Sequence, residues 1–197
     1  MTTNASVVTS ERFKKGLSFQ EFLKQAKVNV DRFEQYYQTA KEILTPDDIA
    51  FFKGIAARPN GAKRVIVLGE DWCPDVYRGM PLVVRIAEAA GMEAKIFPRD
   101  TNIDIMNEFL KDGQFQSIPA VVFYTADQKY ICHWIERPKQ AYEETAQITK
   151  ELEKTMTGQG EEAIRNARRQ RTQARYPEWQ KATVKELRQM LAKALGK

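Results

Sequence analysis

The sequence predicts an α/β domain built on a mixed β-sheet flanked by helices, with further helices at both ends of the chain. Three observations carry this reading. Short runs rich in Val, Ile and Phe alternate with helix-length segments between Lys63 and Met156. The last two runs are separated by three residues, a hairpin spacing. The stretches before and after show helical periodicity. The expected division is 1–60 as a helical extension packed on the core, 61–156 as the α/β domain, and 157–197 as a basic helical tail.

In chain order, residues 1–17 are polar and are expected to be poorly ordered. Ser18 and Glu21 have capping-box spacing, and Phe19, Phe22, Leu23, Ala26, Val30 and Phe33 recur at helical intervals, so a helix or a broken helix pair is expected across 19–42. Thr45-Pro46-Asp47-Asp48 starts a short helix through Ala57, and Arg58-Pro59-Asn60-Gly61 ends it as a turn. A strand at 64–69 leads into a helix at 74–90 with Pro74 at its first turn, Pro81 inside it and Gly91 closing it. A strand follows at 93–97, and Asn102 is placed to cap a helix over 103–112, which Gly113 breaks. Ala120–Thr125 and Lys129–Ile135 form the hairpin, and Arg137-Pro138-Lys139 opens a helix to about Met156. Two parallel strands with a crossover helix, followed by an antiparallel hairpin, give a mixed sheet covered on both faces. Val184, Leu187, Leu191 and Leu195 mark a terminal helix with a narrow apolar stripe.

Composition bounds the function. With 43% hydrophobic residues among 197, the chain can bury a real core. No apolar run approaches the roughly eighteen residues of a membrane span, and Met1–Gly16 has no hydrophobic core of an export signal. Two cysteines do not make a disulfide framework, so a reducing, cytoplasmic setting is expected. The net charge of +5 is unevenly placed: residues 150–197 hold twelve Lys or Arg against six Asp or Glu, and the rest is nearly neutral. Arg165, Arg168, Arg169, Arg171 and Arg175 lie in a stretch free of acids, which reads as a solvated basic helix face; no recognition motif makes nucleic acid an expected partner.

The chemistry concentrates in Trp72-Cys73-Pro74-Asp75. Cys73 sits where a strand gives way to a helix N-terminus, and free amides plus the helix dipole favour a thiolate there. It is a reactive-thiol candidate; the competing reading is a small residue filling a turn. The helix terminus contributes about 0.3–1 kcal/mol toward the thiolate. Glu70, Asp71 and Asp75 oppose it, one charge at ~7 Å and an effective dielectric of ~40 costing about 1 kcal/mol. Arg78, three residues past Asp75, is placed to neutralise one carboxylate. These effects nearly cancel, so an ordinary thiol is expected. Trp72 either shields the sulfur or forms a rim aromatic. Cys132, inside the hairpin, reads as a buried structural cysteine, and the single histidine, His133, as structural. No zinc spacing, phosphate loop or Ser-His-Asp pattern is present, so neither metal nor cofactor is expected.

Trp72-Cys73-Pro74-Asp75, with Ser117-Ile118-Pro119 beginning 42 positions after Asp75, resembles the thioredoxin superfamily over about Lys63–Met156. More narrowly, the chain resembles a bacterial group of thioredoxin family proteins with a helical N-terminal extension, a W-C-x-D turn and an R-P-K segment, here Arg137-Pro138-Lys139. The resemblance implies a cis Pro119 facing the cysteine turn, with Ile118 offering its backbone to an extended substrate. It also implies Cys73 as the reacting group, supported by Trp72, Pro74, Asp75 and Arg78. The sequence departs from a dithiol thioredoxin in having Val76 where the second cysteine would stand. The expected activity is therefore monothiol disulfide exchange with a protein or low-molecular-weight thiol or disulfide; the alternative is a non-catalytic module binding proteins or peptides.

Overall fold

The computed structural model describes residues 6–196. Eight helices and four strands are named here in chain order: α1 (Ser10–Lys14), α2 (Phe19–Gln25), α3 (Val30–Ile43), α4 (Pro46–Ala57), β1 (Arg64–Gly69), α5 (Pro74–Ala90), β2 (Glu93–Pro98), α6 (Ile103–Met106), β3 (Ala120–Tyr124), β4 (Tyr130–Ile135), α7 (Lys139–Thr155) and α8 (Glu161–Ala194).

The sheet order is β2-β1-β3-β4. β1 pairs in parallel with β2 and antiparallel with β3, and β3 pairs antiparallel with β4. Every residue of β3 and all of β1 after Arg64 are buried, as required of central strands covered on both faces. In β4 burial alternates, with Cys132 and Trp134 inward and Tyr130 exposed. The crossover helix α5 lies against β1 and β2, with α3 and α4 packed on it. Its C-terminus closes at Gly91 with φ 70°, the left-handed conformation that glycine adopts without a Cβ penalty.

The N-terminal helices form as their caps dictate. Ser18 and Glu21 make a reciprocal capping box at α2, and Thr45 and Asp48 make another at α4. The expected broken pair is α2 and α3, hinged at Asn29 in the left-handed region with φ 59°. Phe19, Phe22 and Phe33 then interlock edge to face beneath Tyr77 of α5.

Three differences from the sequence reading have physical causes. Residues 6–17 are ordered, not loose: Val8 and Phe13 are buried, Thr9 caps α1, and Leu17 exchanges backbone hydrogen bonds of 2.9 and 2.7 Å with Ile96. Two buried apolar side chains and two strand-like bonds outweigh the polar composition; residues 1–5 of that stretch lie outside the described residues. The helix expected over 103–112 stops at Met106. Asn102 stands at its N-cap position but makes no side-chain cap hydrogen bond; its side-chain amide donates back to the Pro98 carbonyl at 2.7 Å. Beyond it Lys111 and Phe115 bridge across a turn with Asp112 and Gly113 at positive φ, which buries Phe109. Finally, the arginine-rich stretch and the terminal apolar stripe are one 34-residue helix, α8, which runs through Pro177 and buries Trp179, Val184, Leu187 and Leu191. Arg188 of α8 pairs with Asp48 of the α4 capping box, joining the two ends of the chain.

Gly69 sets the distance between β1 and α5. A Cβ at that position would lie 2.6 Å from Cγ1 of Val76 and 3.0 Å from the methyl of Met80. Gly69→Ala is expected to destabilise the protein by about 1–3 kcal/mol, the cost of overpacking a filled core, read as a lower urea midpoint at unchanged slope.

Candidate functional site

The turn between β1 and α5 carries Cys73 as the N-cap residue of α5, with extended backbone at φ −84° and ψ 123°. Its carbonyl accepts the amides of Val76 and Tyr77 at 3.1 and 3.2 Å. Two clasps hold the turn. Asp71 accepts the Lys27 amide at 2.6 Å, and its own carbonyl accepts the Asn29 side chain at 2.9 Å, tying the turn to the α2–α3 hinge. Glu70 accepts the Asp100 amide at 2.7 Å, tying it to the end of β2. Both carboxylates are thereby engaged with backbone.

The Ile118–Pro119 peptide bond is cis. The Cys73 thiol donates to the Ile118 carbonyl at a sulfur–oxygen distance of 3.9 Å. Pro119 packs over α5 at Gly79, where a Cβ would come within 3.3 Å of its ring. Val76 is fully buried below the sulfur's turn, against Gly69.

Asp75 does not pair with Arg78. Its partner is Arg137, whose guanidinium meets the Asp75 carboxylate at 2.6 Å and the Glu136 carboxylate at 2.8 Å. Glu136 sits at positive φ and also accepts Lys111 at 2.8 Å and Tyr142 at 2.6 Å. Arg78 turns the other way: it donates to the Tyr176 hydroxyl and stacks 3.6 Å from that ring's centre. The i,i+3 spacing with Asp75 is overridden because α8 offers Arg78 an aromatic face and Asp75 already holds a guanidinium.

Electrostatics correct the sequence reading of the thiol. Burial pushes the Cys73 thiol above its ordinary value; the amides of Val76 and Asp75 pull it down, the Asp75 carboxylate adds to the rise, and Arg137 offsets that in part. Desolvation, which sequence alone does not price, tips the balance that otherwise nearly cancels. Asp75 is itself raised, by burial first, against the pull of Arg137 and Arg78. Cys132 is buried and pushed up to about 12 by desolvation. Trp72 is 51% exposed, with the Arg99 guanidinium 5.3 Å from its ring centre, the arrangement of a rim aromatic. His133 packs against Phe109 and Tyr130, and among the described residues no group of three or more His, Cys, Asp or Glu is arranged to hold a metal.

The structure therefore brings Cys73 to Ile118 and Pro119 to α5, gives Asp75 to Arg137, leaves Trp72 at the rim, and turns Arg78 toward α8. Sequence reasoning missed Arg137 and Glu136 as partners of Asp75. The only available signal was the position of Arg137 just after the edge hairpin.

Comparison with known proteins gives three findings. The model of a family described as thioredoxin matches residues 16–153. A 1.5 Å crystal structure of a protein of unknown function from Pseudomonas aeruginosa superposes with a TM-score of 0.65 at 16% identity, covering 97% of this chain and 99% of that one. An HIV 4E10 epitope-scaffold gives 0.64 at 16% identity, covering 95% and 98%. At that identity the likeness is one of fold, and it includes the helices at both ends. No curated protein matches the sequence. Among the described residues no helix is long and apolar enough to cross a membrane.

Two outcomes follow. Asp75→Asn removes the negative charge that opposes Cys73 ionisation and frees Arg137, so the pH midpoint of Cys73 alkylation by iodoacetamide should fall relative to the parent protein. Glu136 is held down to about 2, from an ordinary 4.5: burial opposes ionisation, but the Lys111 and Tyr142 hydrogen bonds and the Arg137 charge overcome it. A carboxylate with a depressed folded value stabilises the fold fully above its unfolded value and loses that contribution as pH falls through the folded one. Thermal stability should therefore drop between about pH 4.5 and 2, with a shallower fall in Glu136→Gln.

Proposed function

Because this chain belongs to the thioredoxin family, we propose that it exchanges disulfides through the single thiol of Cys73. The Cys73 thiolate attacks one sulfur of a substrate disulfide, forms a mixed disulfide and expels the other sulfur as a thiolate, which takes up a proton. An external thiol then attacks the mixed disulfide, restores Cys73 and leaves oxidised as a disulfide with the released group. That second thiol is required because Val76, buried against Gly69, stands where a dithiol enzyme carries its resolving cysteine. The substrate is a protein or low-molecular-weight disulfide. The single-cysteine W-C-x-D turn and the Arg137-Pro138-Lys139 corner fit the bacterial subgroup whose pattern they resemble.

The observation that carries this reading is the position of one sulfur. It belongs to the N-cap residue of a 17-residue helix and lies 3.9 Å from the carbonyl that precedes the cis proline. A second reading, a binding module without turnover, is favoured by one observation: burial raises the thiol, and the Ile118 carbonyl that an incoming peptide would use already accepts it.

Incubation with oxidised glutathione followed by intact mass separates the two. The expected result is one adduct on Cys73 that persists until a thiol is added, none on Cys132, and none in Cys73→Ser. In Val76→Cys the adduct should be transient, giving way to an internal disulfide. A Cys73 inert to both oxidised glutathione and iodoacetamide up to pH 9 establishes the binding module instead.

A further inference from the structure

Beside the Trp72–Pro74 turn, between the N-terminal ends of α3 and α5 and the first half of α8, lies a cleft of about 690 Å³. We propose that it binds a small molecule carrying two or more carboxylate or phosphate groups. Six arginines line it, Arg32, Arg78, Arg137, Arg165, Arg168 and Arg169, and no Asp or Glu does. The volume falls in the roughly 300–1,000 Å³ range of small-molecule sites.

The six guanidiniums are not equally satisfied. Arg137 is paired with Asp75 and Glu136, while Arg32 and Arg78 donate to the tyrosine hydroxyls of Tyr77 and Tyr176. Arg165, Arg168 and Arg169 have no carboxylate within ion-pair distance among the described residues, and all three are exposed. On the buried side, three donors of lining residues, Nε of Arg78, Nε of Arg137 and Oγ1 of Thr145, have no hydrogen-bond partner among the described residues. Like charges gathered around one concavity repel, and a bound polyanion removes that repulsion while accepting forked guanidinium hydrogen bonds. Trp72 and Pro74, on either side of the thiol, form the cleft's other wall and suit an organic body attached to the charged groups.

A nucleic-acid strand is the less fitting occupant. It needs an extended run of free positive charge, and the α8 stripe is cut short: Arg171 is neutralised by Glu151 and Arg175 by Glu144 on α7. What remains is a pocketed cluster. The proposal rests on the cleft alone and holds whether or not Cys73 turns over.

The test is titration of the full-length protein in phosphate-free, low-salt buffer, followed by tryptophan fluorescence and calorimetry. The probes are citrate, inorganic pyrophosphate, oxidised glutathione, a neutral disaccharide and a single-stranded oligonucleotide. At least one anionic probe should saturate one site, with the disaccharide silent; citrate against pyrophosphate tells a carboxylate ligand from a phosphate one. The triple variant Arg165→Gln/Arg168→Gln/Arg169→Gln should keep its melting temperature and bind at least about tenfold more weakly, the effect of losing charge-assisted hydrogen bonds. Arg171→Gln should bind as the parent does. Cys73→Ser should retain binding, so a failure of disulfide exchange and a failure of this site are read separately. The proposal is overturned if no small anion saturates, if the triple variant binds unchanged, or if only the oligonucleotide binds.

Discussion

The ion pair between Asp75 and Arg137 joins the first turn of α5 to the corner where β4 gives way to α7. Everything around the sulfur is arranged with respect to it. Both side chains are half-buried, so removing one partner leaves the other's charge uncompensated in partly desolvated surroundings. The pair does not end at Arg137. Glu136 shares the guanidinium, and Lys111 and Tyr142 share Glu136, so the network reaches from the cysteine helix to the turn that follows α6. The left-handed backbone at Glu136 is what lets two successive side chains, Glu136 and Arg137, meet opposite partners in one cluster.

That network also sets the character of the thiol. Helix-terminal amides draw Cys73 toward the anion, and a carboxylate in the same first turn pushes it back. Arg137 weakens that push without removing it. Burial then decides the direction, because each direct charge effect has a counterpart of opposite sign while desolvation has none. A raised thiol is less ionised at neutral pH, yet once ionised it is the more nucleophilic for its basicity.

The long helix α8 ties the molecule together and completes its surface. Its second half contributes Trp179, Leu187 and Leu191 to burial and meets the N-terminal α4 through Arg188 and Asp48. Its first half stands clear of the core and carries its arginines toward the cysteine turn. Tyr176 marks the junction, with the Arg78 guanidinium stacked on its ring. The helix thus forms part of the approach to the cysteine turn.

Much of the fold was legible along the chain, because strands β1 and β3, the caps at Ser18 and Thr45, the stop at Gly91 and the R-P-K corner are local signals whose residues lie within one turn of the elements they define. By itself the sequence determined the α/β class, the helix-capping position of Cys73, the inward-facing Cys132, and Val76 in place of a second sulfur. The order around Phe13 and the early end of α6 escape the sequence reading because burial, a long-range bridge from Leu17 to Ile96 and a tight turn bridged by Lys111 and Phe115 override local composition. Only the tertiary structure decided that Asp75 belongs to Arg137 and not to Arg78, that desolvation raises the thiol, and that the arginines of α8 converge beside Trp72. Each of these depends on residues far apart in the chain meeting in low-dielectric or concave surroundings, and charge energies change with distance and burial, neither of which is written in sequence spacing.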